Sequence, residues 1–162
     1  MNAAEEVARN LAVLAARAET TAPREAVKAM GEAYGTAVRA VLTARSHEAG
    51  TPTPAAPGQP PATISGDLAA SIEETPPILV SPGIATLAIG SDLIYAPVHE
   101  WGATISAKTA PYLKFQYGGG WNEVTSVKIP PRPFMAATTL ATTRSRVLSR
   151  VAAAAWIADL ST

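Results

Sequence analysis

Between residues 46 and 65 the chain sets Pro52, Pro54, Pro57, Pro60 and Pro61 among Thr, Ala and Gly. Proline lacks an amide hydrogen and fixes φ near about −65°, which bars this stretch from helix interiors and from the centre of a sheet. The stretch therefore reads as an extended, polyproline-leaning arm of nearly twenty residues. Arms this long in a small chain are functional or disordered. The reading here is an arm that reaches a neighbouring molecule.

Before the arm, apolar residues recur at helical spacing. Val7, Leu11, Leu14 and Ala18 form one stripe, with Glu5 and Glu6 suited to the positive end of a helix. Thr21 and Pro23 mark a restart or a kink, because proline is tolerated only in a first turn. Val27, Met30, Tyr34, Val38, Val41 and Leu42 form a second stripe, and Gly31 and Gly35 leave room on it for a second helix to approach.

After the arm, Ser65-Gly66-Asp67 is a turn signal and Leu68 to Ile72 reads as a helical turn. Residues 78–80 and 84–89 flank Ser81-Pro82-Gly83, the signature of a hairpin, with Pro76 and Pro77 placing its first strand at an edge. Tyr95 to Trp101 is a short amphipathic turn closed by Gly102. Residues 112–116 and 124–129 alternate in the strand manner around Tyr117-Gly118-Gly119-Gly120-Trp121. Pro130-Pro131-Arg132-Pro133 then ends the strands. One helix follows from about Phe134 to Leu160, striped by Leu140, Val147, Leu148, Val151 and Ala155. The expected fold is α+β in a single domain, 1–162. It comprises a helical part (1–45), the arm (46–65), a β-rich core with a four-stranded, mainly antiparallel sheet (66–132), and a long C-terminal helix (133–160) packed on that sheet.

Composition narrows the function. There are no cysteines and only two histidines, His47 and His99, so disulfides are excluded and the zinc-ligand repertoire is almost empty. No stretch approaches the roughly 20 apolar residues of a membrane span. The opening Met1-Asn2-Ala3-Ala4-Glu5-Glu6 lacks the basic region of a secretory signal, so synthesis in the cytoplasm is expected. Thirteen basic and thirteen acidic residues cancel, which argues against a general nucleic-acid binder. Charged residues make up 16% of the chain, against about 25% in an ordinary soluble domain, a hint of surface meant to be covered. Their order is uneven: residues 46–107 carry six acidic and no basic side chains, and residues 108–162 carry seven basic and two acidic. One reading is a subunit with an acidic and a basic flank suited to head-to-tail contact with its own copies.

Catalytic patterns are weak. His99-Glu100 resembles the start of a zinc-peptidase motif, but Ala103 stands where its second His is required. Ser65, Ser71 and Ser81 lie near glycines without the Gly-x-Ser-x-Gly elbow. Gly118-Gly119-Gly120 lacks the Lys-Ser/Thr and helix of a phosphate loop, and nothing fixes the spacing of Asp67, Glu73, Glu74 and Asp92. Lys108, Lys114, Lys128, Arg144, Arg146 and Arg150 form a basic set whose helical members have no interleaved aromatics for base stacking. The expectation is a non-enzymatic protein with no cofactor and no metal.

Four segments, in order, carry a resemblance. They are Ala56-Pro57-Gly58-Gln59-Pro60-Pro61-Ala62 leading to Ser65-Gly66-Asp67-Leu68-Ala69-Ala70-Ser71-Ile72; Ile94-Tyr95-Ala96-Pro97-Val98-His99-Glu100-Trp101-Gly102; Ala110-Pro111-Tyr112-Leu113-Lys114-Phe115; and Ile129-Pro130-Pro131-Arg132-Pro133-Phe134-Met135. The series resembles the minor tail-component and virion-morphogenesis proteins of long-tailed double-stranded DNA phages, over roughly residues 56–150. That family often has Lys or Arg after the leucine of its Gly-x-Leu turn, where this chain has Ala69 and Ala70. The resemblance implies a structural virion protein, ring-forming and often hexameric, at the head-proximal end of the tail, acting as tail terminator or tail-completion protein in head–tail joining. Its implied partners are its own copies, the tail tube protein and the head connector or stopper, with genomic DNA passing through the lumen without sequence-specific binding and no membrane involved. Alternatives are a head-completion (stopper) protein, a tail assembly factor absent from the virion, a peptide- or ligand-binding module and, most remote, a hydrolase using His99 and Glu100.

Candidate interface residues are Pro57, Gln59 and Pro60 on the arm, Trp121 at the hairpin tip, Arg132, Arg146 and Arg150. Gly66, Leu68, Ile72, Tyr95, Glu100, Trp101, Gly102, Pro133 and Phe134 are expected to be packing or motif residues. Tyr95 and Trp101 are read as packed aromatics, Gly102 as a positive-φ helix end, Phe134 as a core anchor, and Arg132 as a partner for Glu100.

Overall fold

A computed structural model describes residues 3–161. In chain order it contains helices α1 (Ala3–Glu19), α2 (Thr21–Thr43) and α3 (Asp67–Ala70), strands β1 (Glu73–Glu74), β2 (Ile78–Ser81), β3 (Ile84–Thr86) and β4 (Ile89–Gly90), helix α4 (Ala96–Trp101), strands β5 (Ala103–Ser106), β6 (Leu113–Tyr117), β7 (Gly120–Val124) and β8 (Ser126–Ile129), and helices α5 (Met135–Ser145) and α6 (Val147–Leu160). The class is α+β. No helix among the described residues is long and apolar enough to cross a membrane.

The strands do not make the four-stranded sheet expected. They form four two-stranded pairs: β1 with β4, β2 with β3, β5 with β8 and β6 with β7. Both hairpins signalled by turn residues are present, β2–β3 across Ser81-Pro82-Gly83-Ile84 and β6–β7 across the glycines, with Gln116 opposite Trp121 and Lys114 opposite Glu123. Residues 124–129, read as one strand, are split at Thr125. The first part completes the β6–β7 hairpin, and Ser126–Ile129 pairs instead with β5, Ala103 opposite Ile129.

The described chain divides into two compact units. The first comprises residues 3–35, 73–89 and 142–161. In it, Asp159 near the end of α6 accepts a 2.7 Å hydrogen bond from Thr21 Oγ1 and lies 3.5 Å from Arg17 Nη2, tying that helix to the α1–α2 junction. The Gly83 amide of the β2–β3 turn donates to Glu19 O at 2.9 Å. Gly31 does leave room, but for Leu87 rather than for a helix: a Cβ there would sit 2.7 Å from Leu87 Cδ2.

The second unit comprises Thr36–Ile72 and Gly90–Ala141. The large buried apolar side chains, Val38, Leu42, Ile72 and Phe134, all belong to it, whereas the buried apolar side chains described in the first unit are the small ones of Ala22, Pro23 and Ala26. The proline-rich stretch is not a free arm here. Ser46 bridges Thr63, Thr63 N donates to Arg45 O at 2.8 Å, and Thr63 Oγ1 donates to Leu42 O at 2.6 Å, so the segment closes as a loop. Proline cannot supply ladder donors, and the loop is held instead by isolated bonds from Thr63, Gly58 and Arg132. Gly58 N donates to Pro131 O at 2.8 Å and Arg132 Nη2 to Ala55 O at 3.1 Å, with Ala55 and Pro61 buried.

The C-terminal helix is two helices. Arg146 takes the left-handed conformation, φ 55° and ψ 22°, between α5 and α6. The residues before it explain the break. Thr138 Oγ1 and Thr139 Oγ1 donate back to Phe134 O and Met135 O, and Ser145 Oγ to Thr142 O. Such hydroxyl back-bonding competes with the helix ladder and bends it.

Candidate functional site

Residues from three of the four resemblance segments, Gly58, His99 and Glu100 among them, meet in the second unit around Pro131-Arg132-Pro133-Phe134. Helix α5 starts without a usable capping side chain: Phe134 occupies the cap position, and Ser, Thr, Asp or Asn would normally stand there. Glu100 supplies the acceptor. Its carboxylate takes three backbone N–H bonds, from Phe134 (2.8 Å) and Met135 (3.0 Å) to Oε2 and from Ala136 (2.9 Å) to Oε1. A negative charge at a helix N-terminus also meets the positive end of its dipole. Glu100 therefore does not pair with Arg132 as expected, because three orphan amides offer it a more complete set of donors than one guanidinium.

Gly102 holds this corner tight. Its φ is 74°, and a Cβ would lie 2.8 Å from Ile129 O and 2.9 Å from Pro131 N, so glycine is required by conformation and by space. The amide of Arg132 donates to His99 O at 2.6 Å, joining α4 to the strand-to-helix turn. Phe134 is 2% exposed and is the core anchor expected, as is Ile72 at the end of the Gly66 turn. Gly66 is left-handed (φ 91°) at the start of α3; Leu68 and Pro133 are half-buried. Tyr95 falls short of the packed aromatic expected: it is 37% exposed, with its ring edge-on to His99 and the centroids 5.9 Å apart. Trp101 contradicts its packing assignment: it is 76% exposed, on the outer side of a helix of six residues.

His99 and Arg132 also line a cavity of about 430 Å³ with Leu42, His47, Pro61, Asp67, Leu68 and Tyr95. Burial, and after it the Arg132 charge, push the His99 pKa below its ordinary value of 6.5 and favour the neutral imidazole. This cavity was not legible in the sequence, since its walls come from segments as far apart as Leu42 and Arg132.

The interface candidates are scattered. Pro57 and Gln59 are exposed at the tip of the loop, with Gln59 Oε1 accepting from Arg45, while Pro60 is half-buried. Trp121 is 69% exposed on the β7 side of the hairpin, with Lys114 Nζ 5.6 Å from its ring centroid. Arg146 and Arg150 are exposed, at and beyond the α5–α6 break. The acidic and basic stretches of the sequence do not become separate bodies: the first unit contains seven basic and eight acidic residues and the second six and five.

The first unit carries several exposed large apolar side chains. The Val7, Leu11 and Leu14 stripe of α1, read as a buried face, is exposed, Leu11 at 61%, as is every residue of the helix from Ala4 to Ala16. Ile78, Val80 and Ile84 of the β2–β3 hairpin and Ile157 of α6 are exposed as well. Periodicity shows that a face is apolar; it does not show whether the same chain covers it. Compared with family models, curated proteins and solved structures, the chain matches none.

Proposed function

We propose that the chain is a structural virion protein of a tailed phage, assembling through its own copies into a ring at the head-proximal end of the tail, as a tail-terminator or tail-completion protein. The observation that carries this reading is the apolar surface of the first unit. Val7, Leu11 and Leu14 on α1 and Ile78, Val80 and Ile84 on the hairpin are side chains of core type left in solvent, on a unit whose described buried apolar side chains are the small ones of Ala22, Pro23 and Ala26. Large apolar side chains left in solvent in this number suit a surface that another protein covers. A second support is that the resemblance motifs have structural work to do: Glu100 caps the helix that Pro133-Phe134 opens, Gly102 permits its approach, and Arg132 pins the Pro-Gly-x-Pro-Pro loop at Ala55.

The test is the mass of the purified protein by light scattering over a concentration series, with electron microscopy of any oligomer and of the protein mixed with tail tubes. A closed ring, or a ring formed on tube ends, is the expected result, and Leu11→Glu and Val80→Glu should each abolish it while leaving the monomer folded. A monomer at every concentration that also ignores tail tubes would refute the proposal. Binding to head connectors in place of tubes would move the protein to the stopper position.

A further inference from the structure

The Arg132 amide donates to His99 O at 2.6 Å, so the two residues share one corner between α4 and the strand-to-helix turn. From that corner the turn holds the proline-rich loop at two points, Arg132 Nη2 to Ala55 O at 3.1 Å and Gly58 N to Pro131 O at 2.8 Å. Among the described residues, the buried side-chain nitrogens with no hydrogen-bond partner are His99 Nδ1 and Arg132 Nε, both of this corner. A neutral imidazole can leave Nδ1 as a bare lone pair. An imidazolium donates from both ring nitrogens, which here would bury a second donor without an acceptor beside the first. Burial, and after it the Arg132 charge, oppose that cation.

We propose that His99 and Arg132 form an acid-sensitive latch on the proline-rich loop: when His99 takes up a proton, Arg132 withdraws from Ala55 O and residues 55–59 open while the rest of the unit keeps its fold. The charged and titratable groups around His99 are Arg132 from the turn, Tyr95 and Glu100 on either side of it in the chain, and His47 and Asp67, which line the same cavity. The two carboxylates alone favour the imidazolium. Glu100 is taken up by three backbone amides, and Asp67 is exposed to solvent and accepts from Ser65 Oγ at 2.7 Å. Strain between two cations is relieved where the hold is weakest. The His99 backbone is fixed within α4 and by the Arg132 amide, whereas the Arg132 side chain is anchored by its bond to Ala55 O. Opening there exposes both side chains to water and frees the loop tip, a local event that leaves the buried Ile72 and Phe134 in place.

The experiment is amide hydrogen exchange of the full chain by NMR from about pH 7.5 to about pH 4.5, read as protection factors, with both histidines titrated in the same samples. The expected result is that protection of the Gly58 amide begins to fall near the ordinary histidine value of 6.5, approaches about a tenfold loss per pH unit, and levels off where His99 itself titrates. The Thr63 amide, bonded to Arg45 O at the base of the loop, and the Phe134 and Met135 amides capped by Glu100 should keep their protection. His99→Phe should hold Gly58 protection constant over the whole range, and His47→Gln should leave the fall as it is. If His99→Phe does not fold, the unmodified chain decides, because the Gly58 profile must level off with His99 and not with His47. Gly58 protection that ignores pH, that falls equally in His99→Phe or that follows His47 overturns the proposal. So does an equal loss at Phe134 and Met135, which would make the event an unfolding of the whole corner.

Discussion

Glu100 is the residue whose removal separates a motif from a mechanism. Its three amide bonds to the start of α5 are charge-assisted, and a carboxylate satisfies three donors that no neighbour in sequence can reach. Glu100→Ala is expected to cost about 2 kcal/mol, and Glu100→Gln about half of that, since one amide oxygen still accepts; urea unfolding midpoints check both. Gly102→Ala, which forces a Cβ against Ile129 O and Pro131 N at positive φ, should cost at least about 2 kcal/mol by the same measurement. His99 gives a pH dependence with a definite sign. Its folded pKa lies below the ordinary 6.5, through burial first and Arg132 second, so the unfolded chain binds more protons in that window. The stability it contributes is complete above pH 6.5 and is lost as pH falls through the lower folded value. His99→Phe should flatten that part of a stability–pH profile measured by thermal unfolding.

At the scale of elements, Arg146 is the position to change. A non-glycine residue in the left-handed region costs about 1 kcal/mol relative to glycine, so Arg146→Gly should raise the unfolding midpoint by an amount of that order. A continuous helix would instead lose stability on the same substitution, which makes the sign decisive. This break also shows where sequence reading stops. Helices α1 and α2, their junction at Thr21 and Pro23, the α3 turn and both hairpins were legible because local signals fix them: periodicity, first-turn proline, Ser81-Pro82-Gly83 and the Gly118–Gly120 tip. The α5–α6 break carries no Gly or Pro and arises from several weak hydroxyl back-bonds. Strand β5 has four residues, Ala103 to Ser106, and is defined by its partner Ser126–Ile129 rather than by its own pattern. Glu100 as a cap and Arg132 on Ala55 span 34 and 77 residues, distances over which spacing carries no information about contact. The motif residues were thus identifiable, but their partners were not.

For the whole molecule the governing quantity is how much large apolar side chain is left in solvent: Val7, Leu11, Ile78, Val80 and Ile84 of the first unit are each more than half exposed. Since both units are close to neutral while the exposed stripe is apolar, association should depend on hydrophobic burial more than on charge. Raising sodium chloride from about 0.05 to 0.5 M, which shortens the screening length severalfold, is therefore expected to leave the proposed ring intact. Sedimentation at the two salt concentrations checks this; dissociation at high salt would assign the contact to charge pairs instead. Hydrogen exchange should give the complementary result. In the monomer, amides of α1 and of the β2–β3 hairpin should exchange much faster than those around Phe134 and Ile72, because few large side chains hold their unit closed. On assembly the α1 and hairpin amides should slow while those around Phe134 stay as they were. Equal slowing everywhere would mean that assembly stabilises the whole chain rather than covering this surface.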